Sequence, residues 1–403
     1  MRTTVYLSIE GILGHLGFSQ VFRVVEGLAR RGVPYSLVSL EREKDLRDER
    51  RVATIADRAK LAGIDWAWGV YREGGAVSFV AENMARLGAM AARQVLRHRS
   101  PLIHARGYHG ALAAMGLSTS LRRKWIFDAR GYWIDERLEE KRWFTNPRAL
   151  AVARAVERRL FTSSDAVVTL TGLQAEDVRQ GDFGRPKGEV LVVPTCADFD
   201  EFRPRSIDSL SLVPSDIRER LAGKLVVGVV GSLNRAYLGP QTARLATQVL
   251  RRRPDAQVLV LSGQKDEWTA AFAAEAAPLD RVTIVRVDHE AMPQWLDLLT
   301  WAVLLLAPES RAKRGAMPTK LAEFFATGIR VCAHGCNHEV TDWVERVGGG
   351  MVLSTTDDDA LEHAAAHIST VDSTDPTTRD RASAHFSLKS GINRYERLIR
   401  SLL

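Results

Sequence analysis

Short apolar runs alternate with longer amphipathic stretches along the whole chain. In the first half, residues 5–9, 36–40, 102–105, 125–128, 166–169 and 190–193 read as strands, with a further short apolar stretch near 66–70. Residues 20–31, 44–62 and 81–97 carry helical periodicity, the first closed by Gly32. Apolar runs of this length bounded by turn residues fit buried strands. Strands joined by helices imply a parallel sheet covered on both faces. Residues 205–216, with Ser, Asp and Pro, predict a linker. The pattern then restarts, with strands at 225–230, 257–261, 283–287, 302–306 and 331–333 and helices at 241–252, 292–299 and 319–327. A weaker break at 369–380 precedes a last helix from about 391 to 403. No close internal repeat is visible.

A chain of 403 residues is too long for one ordinary core, so two domains are expected. Residues 1–205, together with a C-terminal helix at about 385–403, are expected to form the first and 217–384 the second. No apolar run approaches the ~20 residues of a membrane span. The chain runs directly into a strand pattern with no long apolar leader, which predicts a cytoplasmic protein. Three cysteines, Cys196, Cys332 and Cys336, are too few for a disulfide framework and fit a reducing compartment. The net charge is +7, and its distribution is uneven. Residues 1–205 hold 33 basic against 25 acidic side chains, and the remainder 23 against 24. A basic half admits an anionic membrane face or a phosphorylated substrate. Zinc-finger spacing, an aromatic RNA-binding strand and a basic zipper are all missing, so no nucleic acid partner is expected.

The most informative stretch is Met317-Pro318-Thr319-Lys320-Leu321-Ala322-Glu323. It follows a buried strand and a polar loop carrying Arg311, Lys313 and Arg314. Pro318 reads as a first-turn helical residue, where its missing N–H is harmless. Free amides at the helix start, with cations beside them, suit an anion such as a phosphate. Glu323 lies one turn further in, roughly 6 Å along the axis at about 1.5 Å per residue. A carboxylate there is placed to accept hydrogen bonds from ribose hydroxyls. Capping and solubility alone also account for a Pro and a Lys at a helix start.

Other loops follow strand ends. Glycines 11, 14 and 17 let backbone approach a ligand closely, but their spacing is not that of a dinucleotide fingerprint. His104-Ala105-Arg106-Gly107-Tyr108-His109 and Asp128-Ala129-Arg130-Gly131-Tyr132-Trp133-Ile134-Asp135-Glu136 concentrate acids, Arg and rings, a mixture that suits a sugar. An Asp–Arg ion pair steadying a loop is the plain alternative. Arg235, after Gly231-Ser232-Leu233-Asn234, is placed to reach a phosphate. Cys332, His334, Cys336 and His338 are zinc-ligand types, but they crowd into seven residues and begin inside a strand, so no metal site is expected. Asp357-Asp358-Asp359 reads as the acidic start of a helix.

These residues together resemble glycosyltransferase family 4, the retaining enzymes with the GT-B fold, and within it a bacterial branch with a PTKLAE helix start. Pro318 to Gly328 carries that start. The resemblance extends to Ser19-Gln20, His104-Ala105-Arg106, Phe127-Asp128, Arg130-Gly131, Asp135-Glu136-Arg137 and Val193-Pro194-Thr195-Cys196-Ala197-Asp198, in order along the chain. It implies an α/β architecture of two Rossmann-like domains facing each other across a cleft, the first for acceptor and the second for donor. The last helix would cross back to the first domain. Glu323 would hold the ribose. The amides near Pro318, Thr319 and Lys320, with Arg235, Lys313 and the loop at Gly14, would hold the diphosphate. Asp128, Arg130, Arg235 and Lys320 would serve catalysis, and His15, Arg106, Tyr108, Trp133 and Asp135 would meet the acceptor.

The implied reaction moves a sugar from a nucleotide-sugar donor to a hydroxyl on a lipid-linked sugar, a polysaccharide intermediate or a small metabolite. It needs no cofactor and no metal. A lipid-linked acceptor would bring the basic first domain to the inner membrane face as a peripheral contact. A nucleotide-sugar epimerase and a catalytically inactive sugar-nucleotide-binding partner of the same fold are the alternatives. Three positions depart from the family pattern. Gly315 stands where many members have the first of two Glu, Ser232 follows Gly231 where Arg is familiar, and Trp301 replaces a common Asp.

Overall fold

The computed structural model describes residues 2–74, 77–140, 144, 146–335 and 337–403. They form two compact units. Unit 1 comprises Met1–Thr195, Arg311–Ala316 and Leu388–Leu403, and unit 2 comprises Cys196–Ser310 and Met317–Ser387.

Unit 1 holds seven strands: β1 (Thr4–Ser8), β2 (Tyr35–Arg42), β3 (Asp65–Tyr71), β4 (Leu102–Arg106), β5 (Lys124–Asp128), β6 (Ala166–Thr169) and β7 (Val190–Val192). They pair in parallel in the order β3-β2-β1-β4-β5-β6-β7. β1 and β4 are buried along their whole length. Parallel strands covered by helices on both faces read as continuous apolar runs, which is why the sequence exposes them. One face packs Tyr6, Leu37, Leu102 and Ile126 against Ile392, Tyr395, Leu398 and Ile399 of the last helix. The other packs Val5, Leu7, Ile103 and Phe127 against Leu87, Ala91, Val95 and Phe161.

Unit 2 holds β8 (Val226–Val230), β9 (Gln257–Leu261), β10 (Val282–Val285), β11 (Trp301–Leu305), β12 (Arg330–His334) and β13 (Gly350–Val352). The parallel order is β10-β9-β8-β11-β12-β13. Trp301 is 1% exposed on β11 and donates to Val371 O at 3.0 Å, so it serves the core. Among the described residues no helix is long and apolar enough to cross a membrane.

Several helices differ from the sequence expectation. The stretch expected as one helix over 44–62 is two, Glu43–Leu46 and Glu49–Leu61, because Asp48 caps the second by accepting from Arg51 N at 3.0 Å. The break expected at 369–380 contains the start of a helix, Pro376–Phe386, with Asp375 as its N-cap. The last helix begins earlier, at Leu388. The helix after the first glycine loop carries a π segment, Phe18–Phe22, before its regular part, Arg23–Arg30. Such segments are frequent at functional sites.

Candidate functional site

In unit 2 the chain leaves β8 toward β9 on one side, and leaves β11 toward β12 on the other. At such a reversal a crevice opens outside the carboxyl ends of the two strands. Two segments border it, the loop after β8 and the start of the Thr319–Thr327 helix.

The loop is held by its own backbone. Leu233 N donates to Gln264 Oε1 at 2.6 Å, Ala236 N to Asn234 Oδ1 at 2.9 Å, and Leu238 N to Leu305 O at 2.9 Å. Gly231 takes φ +110°, and a Cβ there would run into Lys320 Nζ. Glycine therefore lets Lys320 lie across the end of β8, where Nζ donates to Val230 O and sits 4.1 Å from the centre of the Tyr237 ring. Arg235 is exposed in the same loop and makes no hydrogen bond or ion pair among the described residues.

Pro318 stands one position outside the helix, as its N-cap with ψ 128°, and not in the first turn as its ring suggested. The extended ψ decides this, since the proline φ suits either place. No side chain caps this end. The amides of Thr319 and Lys320 carry no hydrogen bond among the described residues, which leaves orphan donors at the positive end of a nine-residue helix. Glu323 is 6% exposed, and its carboxylate accepts no hydrogen bond among the described residues. Burial pushes its pKa up to about 7, against the pull of Lys320 and with a small push from Glu201. Burial likewise pushes Lys320 down to about 8, opposed by Glu323. A buried carboxyl without a partner is costly, and ligand hydroxyls would satisfy it.

Unit 1 carries a second polar cluster at the ends of β1, β4 and β5. Asp128 is fully buried. Its Oδ2 accepts from Tyr395 OH at 2.8 Å. Arg130 lies 3.7 Å from Oδ1, while His104 Nε2 at 3.7 Å and Arg106 Nη1 at 4.0 Å approach Oδ2. Burial would raise the Asp128 pKa, but Arg130, His104 and Arg106 outweigh it and hold it at about 2. Arg130 takes a left-handed φ of +57° and donates to Val193 O at 3.3 Å. That backbone costs about 1 kcal/mol or more, and such residues cluster at functional sites. His104 Nε2, Arg106 Nη1, Asp128 Oδ1 and Arg130 Nε are buried without hydrogen-bond partners among the described residues. An ordered water or a ligand oxygen would complete such a cluster.

The residues expected to meet an acceptor, and Gly14 and Lys313 expected to meet the donor, fall in different places. Gly14 and His15 line a cavity of about 400 Å³ at the ends of β1, β2 and β3. Arg106 is 5% exposed and donates to Glu10 Oε2 at 2.8 Å. Tyr108 donates to Glu157 Oε1 at 2.8 Å, and Arg154 bridges Glu157 at 2.8 Å to Asp135 at 2.9 and 2.6 Å. Trp133 begins the Trp133–Glu139 helix, 5.3 Å from the His109 ring. The loop expected over 309–316 contains the helical turn Arg311–Arg314. Its part from Arg311 to Ala316, with Lys313, belongs to unit 1, where Arg314 holds Asp177 through two bonds of 3.0 and 2.7 Å. A Cβ at Gly315 would lie 3.0 Å from Gly131 Cα and 3.2 Å from the Tyr132 ring. A glutamate at that position would have to displace its neighbours.

The Cys332–His338 stretch has other uses. Cys332 is fully buried, and burial pushes its thiol up to about 12, away from the thiolate a metal needs. His334 Nδ1 lies 2.8 Å from Leu353 O, and Cys336 falls outside the described residues. Among the described residues no group of three His, Cys, Asp or Glu is arranged to hold a metal ion. Asp357 caps the Asp358–Thr370 helix by accepting from Ala360 N at 2.9 Å. Tyr237 and Tyr395 escaped the sequence reading. Tyr237 sits in the flagged Gly231 loop, whereas Tyr395 is 267 residues from its partner and gives no local signal.

Residues 19–196 match the family described as glycosyl transferase 4-like domain. No curated protein matches the sequence. Solved structures do match over the full chain. Sucrose-phosphate synthase from Thermosynechococcus elongatus is 14% identical with a TM-score of 0.73, covering 100% of this chain and 99% of that one. HepE from Anabaena, solved with UDP and glucose, is 15% identical with a TM-score of 0.69 and covers 100% of both chains. The UDP-forming α,α-trehalose-phosphate synthase from Burkholderia xenovorans, solved with glucose-6-phosphate, is 12% identical with a TM-score of 0.63 and covers 99% of both. The fold is therefore GT-B, built from two Rossmann-like units.

Proposed function

We propose that this protein is a glycosyltransferase that moves a sugar from a nucleotide-sugar donor to a hydroxyl acceptor with retention at the anomeric carbon. Unit 2 takes the donor and unit 1 the acceptor. One observation carries the reading: a buried carboxylate without a partner among the described residues, Glu323, one turn inside a helix whose first amides likewise have none and whose Lys320 lies at the adjacent strand end. The similarity to structures solved with UDP, and the family match over residues 19–196, support it.

In this reading Glu323 accepts from the ribose hydroxyls. The Thr319 and Lys320 amides, the Lys320 ammonium and Arg235 hold the diphosphate. The acceptor hydroxyl attacks the anomeric carbon on the face from which the diphosphate leaves. The bond from that carbon to the phosphate oxygen breaks, the new glycosidic bond forms, and the hydroxyl proton passes to the departing phosphate oxygen. Positive charge held ready for the leaving diphosphate is the largest electrostatic contribution. Arg130 is the reacting-centre cation of unit 1, and Asp128, fully buried, positions it. His15 is the acceptor-side contact, while Arg106, Tyr108 and Asp135 steady unit 1 through their bonds to Glu10, Glu157 and Arg154, and Trp133 through the His109 ring. No metal takes part.

The experiment is an assay of nucleotide release from UDP, GDP, ADP and dTDP sugars, with and without candidate acceptors. Acceptor-dependent release that falls at least about tenfold in Lys320→Ala supports the reading. Turnover of the donor without any acceptor points to an epimerase. Binding without turnover points to an inactive partner.

A further inference from the structure

The cavity at the ends of β1, β2 and β3 has an unusual charge balance. It measures about 400 Å³, and its lining includes Glu10, His15, Arg42, Lys44, Asp45 and Tyr71. That volume lies within the range of small-ligand sites. Most charged groups around it already have partners. Glu10 accepts from Arg106 at 2.8 Å. Glu41, behind the glycine loop, accepts from Ile12 N and Leu13 N at 3.0 Å each and from Ser39 at 2.5 Å. Arg51 donates to Leu13 O at 2.8 Å, Arg58 to Glu26 at 2.8 and 3.3 Å, and Arg47 lies 3.9 Å from Glu43. His15 is held toward its neutral form by burial and by the Arg51 cation.

Arg42 and Lys44 are the exception. Neither makes a hydrogen bond or an ion pair among the described residues, and both line the cavity. Asp45 lines it too, and its carboxylate has no partner among the described residues. Two cations, one of them a planar fork and the other a mobile point charge, match a dianion better than a single carboxylate. At pH 7 a phosphate monoester carries about −1.5 to −2. Asp45 and neutral His15 supply the acceptor and donor that hydroxyls need. Tyr71 adds an aromatic wall.

We infer that this cavity binds the acceptor as a phosphate monoester of a sugar or polyol, with Arg42 and Lys44 gripping the phosphate and Asp45 and His15 the hydroxyls. The inference rests on the proposed sugar transfer and names its acceptor class. The two cations would act on acceptor affinity and leave donor affinity alone, because they belong to unit 1 and the donor residues Lys320 and Glu323 to unit 2.

The test is calorimetric titration of the full chain with glucose 6-phosphate, fructose 6-phosphate and mannose 6-phosphate, each beside its unphosphorylated parent, and with inorganic phosphate. UDP is titrated in parallel. At least one monoester binds about tenfold or more tighter than both its parent sugar and inorganic phosphate. In Arg42→Ala/Lys44→Ala that preference falls about tenfold, while UDP binding and the melting temperature stay unchanged. If no monoester outperforms its parent, or the double variant binds it equally well, the inference is overturned. Binding of phosphatidylinositol vesicles in place of the soluble monoesters also overturns it. Loss of UDP binding in the unaltered protein is a separate result that removes the donor reading.

Discussion

The hydroxyl of Tyr395, on the last helix, donates to the fully buried carboxylate of Asp128 at the end of β5, across 2.8 Å. This bond fastens the C-terminal helix to the polar cluster of unit 1. It also fixes the carboxylate against which Arg106, Arg130 and His104 are arranged.

Replacing Tyr395 by Phe removes the donor and leaves Asp128 Oδ2 with the longer approaches of His104 and Arg106. A hydrogen bond to a charged group contributes about 1.5–3 kcal/mol, so a loss of about 2 kcal/mol is expected. Urea unfolding of the two proteins measures it. A change under about 0.5 kcal/mol would mean that the helix is held by its apolar face alone.

Asp128 also makes stability depend on acid. Its folded pKa is about 2, below the ordinary 3.8, because the neighbouring cations outweigh burial. The stabilisation is complete above pH 3.8 and is lost as pH falls toward 2. The shift corresponds to about 2 kcal/mol. Asp128→Asn is expected to flatten this acid limb in urea midpoints taken across that interval. An identical slope in both proteins contradicts the assignment.

Glu323 has the opposite sign. Its pKa rises with burial to about 7 from 4.5, so folded protein without ligand holds the proton more tightly than unfolded chain. Stability from this group is full below pH 4.5 and declines as pH rises to about 7. Glu323→Gln removes that penalty. The variant is therefore expected to be more stable than the parent at pH 8, by up to about 3 kcal/mol, while binding nucleotide sugar more weakly. Thermal melts with and without ligand separate the two effects. A variant both less stable and equally able to bind would deny Glu323 its role.

The same pair shapes the rate. kcat/KM reports groups of the free enzyme. It is expected to rise as Glu323 ionises near pH 7 and to fall as Lys320 loses its proton above about 8. Lys320→Arg moves the alkaline fall to higher pH, and Glu323→Gln removes the acidic rise. A profile flat from pH 6 to 9 is incompatible with this site.

Chelation tests the charge source. With Lys320, Arg235 and two helix amides supplying positive charge, turnover in excess EDTA is expected to stay within about twofold of the untreated rate. A larger loss, restored by a divalent cation, would transfer that role to a metal.

The sheets were legible in the sequence because parallel strands buried on both faces leave unbroken apolar runs. β6 and β9 fall at the expected positions, and β13, only three residues long and half-buried, gave no such run. Helices with little one-sided polarity were harder to see, as with Gly107–Leu121, whose Ala- and Gly-rich faces carry no clear stripe. At the site, Lys320 and Glu323 were visible because a helix start has local chemistry. The dependence of Gly231 on the Lys320 side chain was not, since it joins residues on different elements. Nor was the packing of Gly315 against Gly131 and Tyr132. Arg42 and Lys44 gave no signal at all, because an unpaired cation is defined by which partners the fold fails to bring near.

The most direct measurement is a crystal structure of the protein grown with UDP. The diphosphate is expected within hydrogen-bond reach of the Thr319 and Lys320 amides and the Lys320 ammonium, with the ribose hydroxyls on Glu323. Density for UDP elsewhere, with Glu323 still unpaired, would contradict this site.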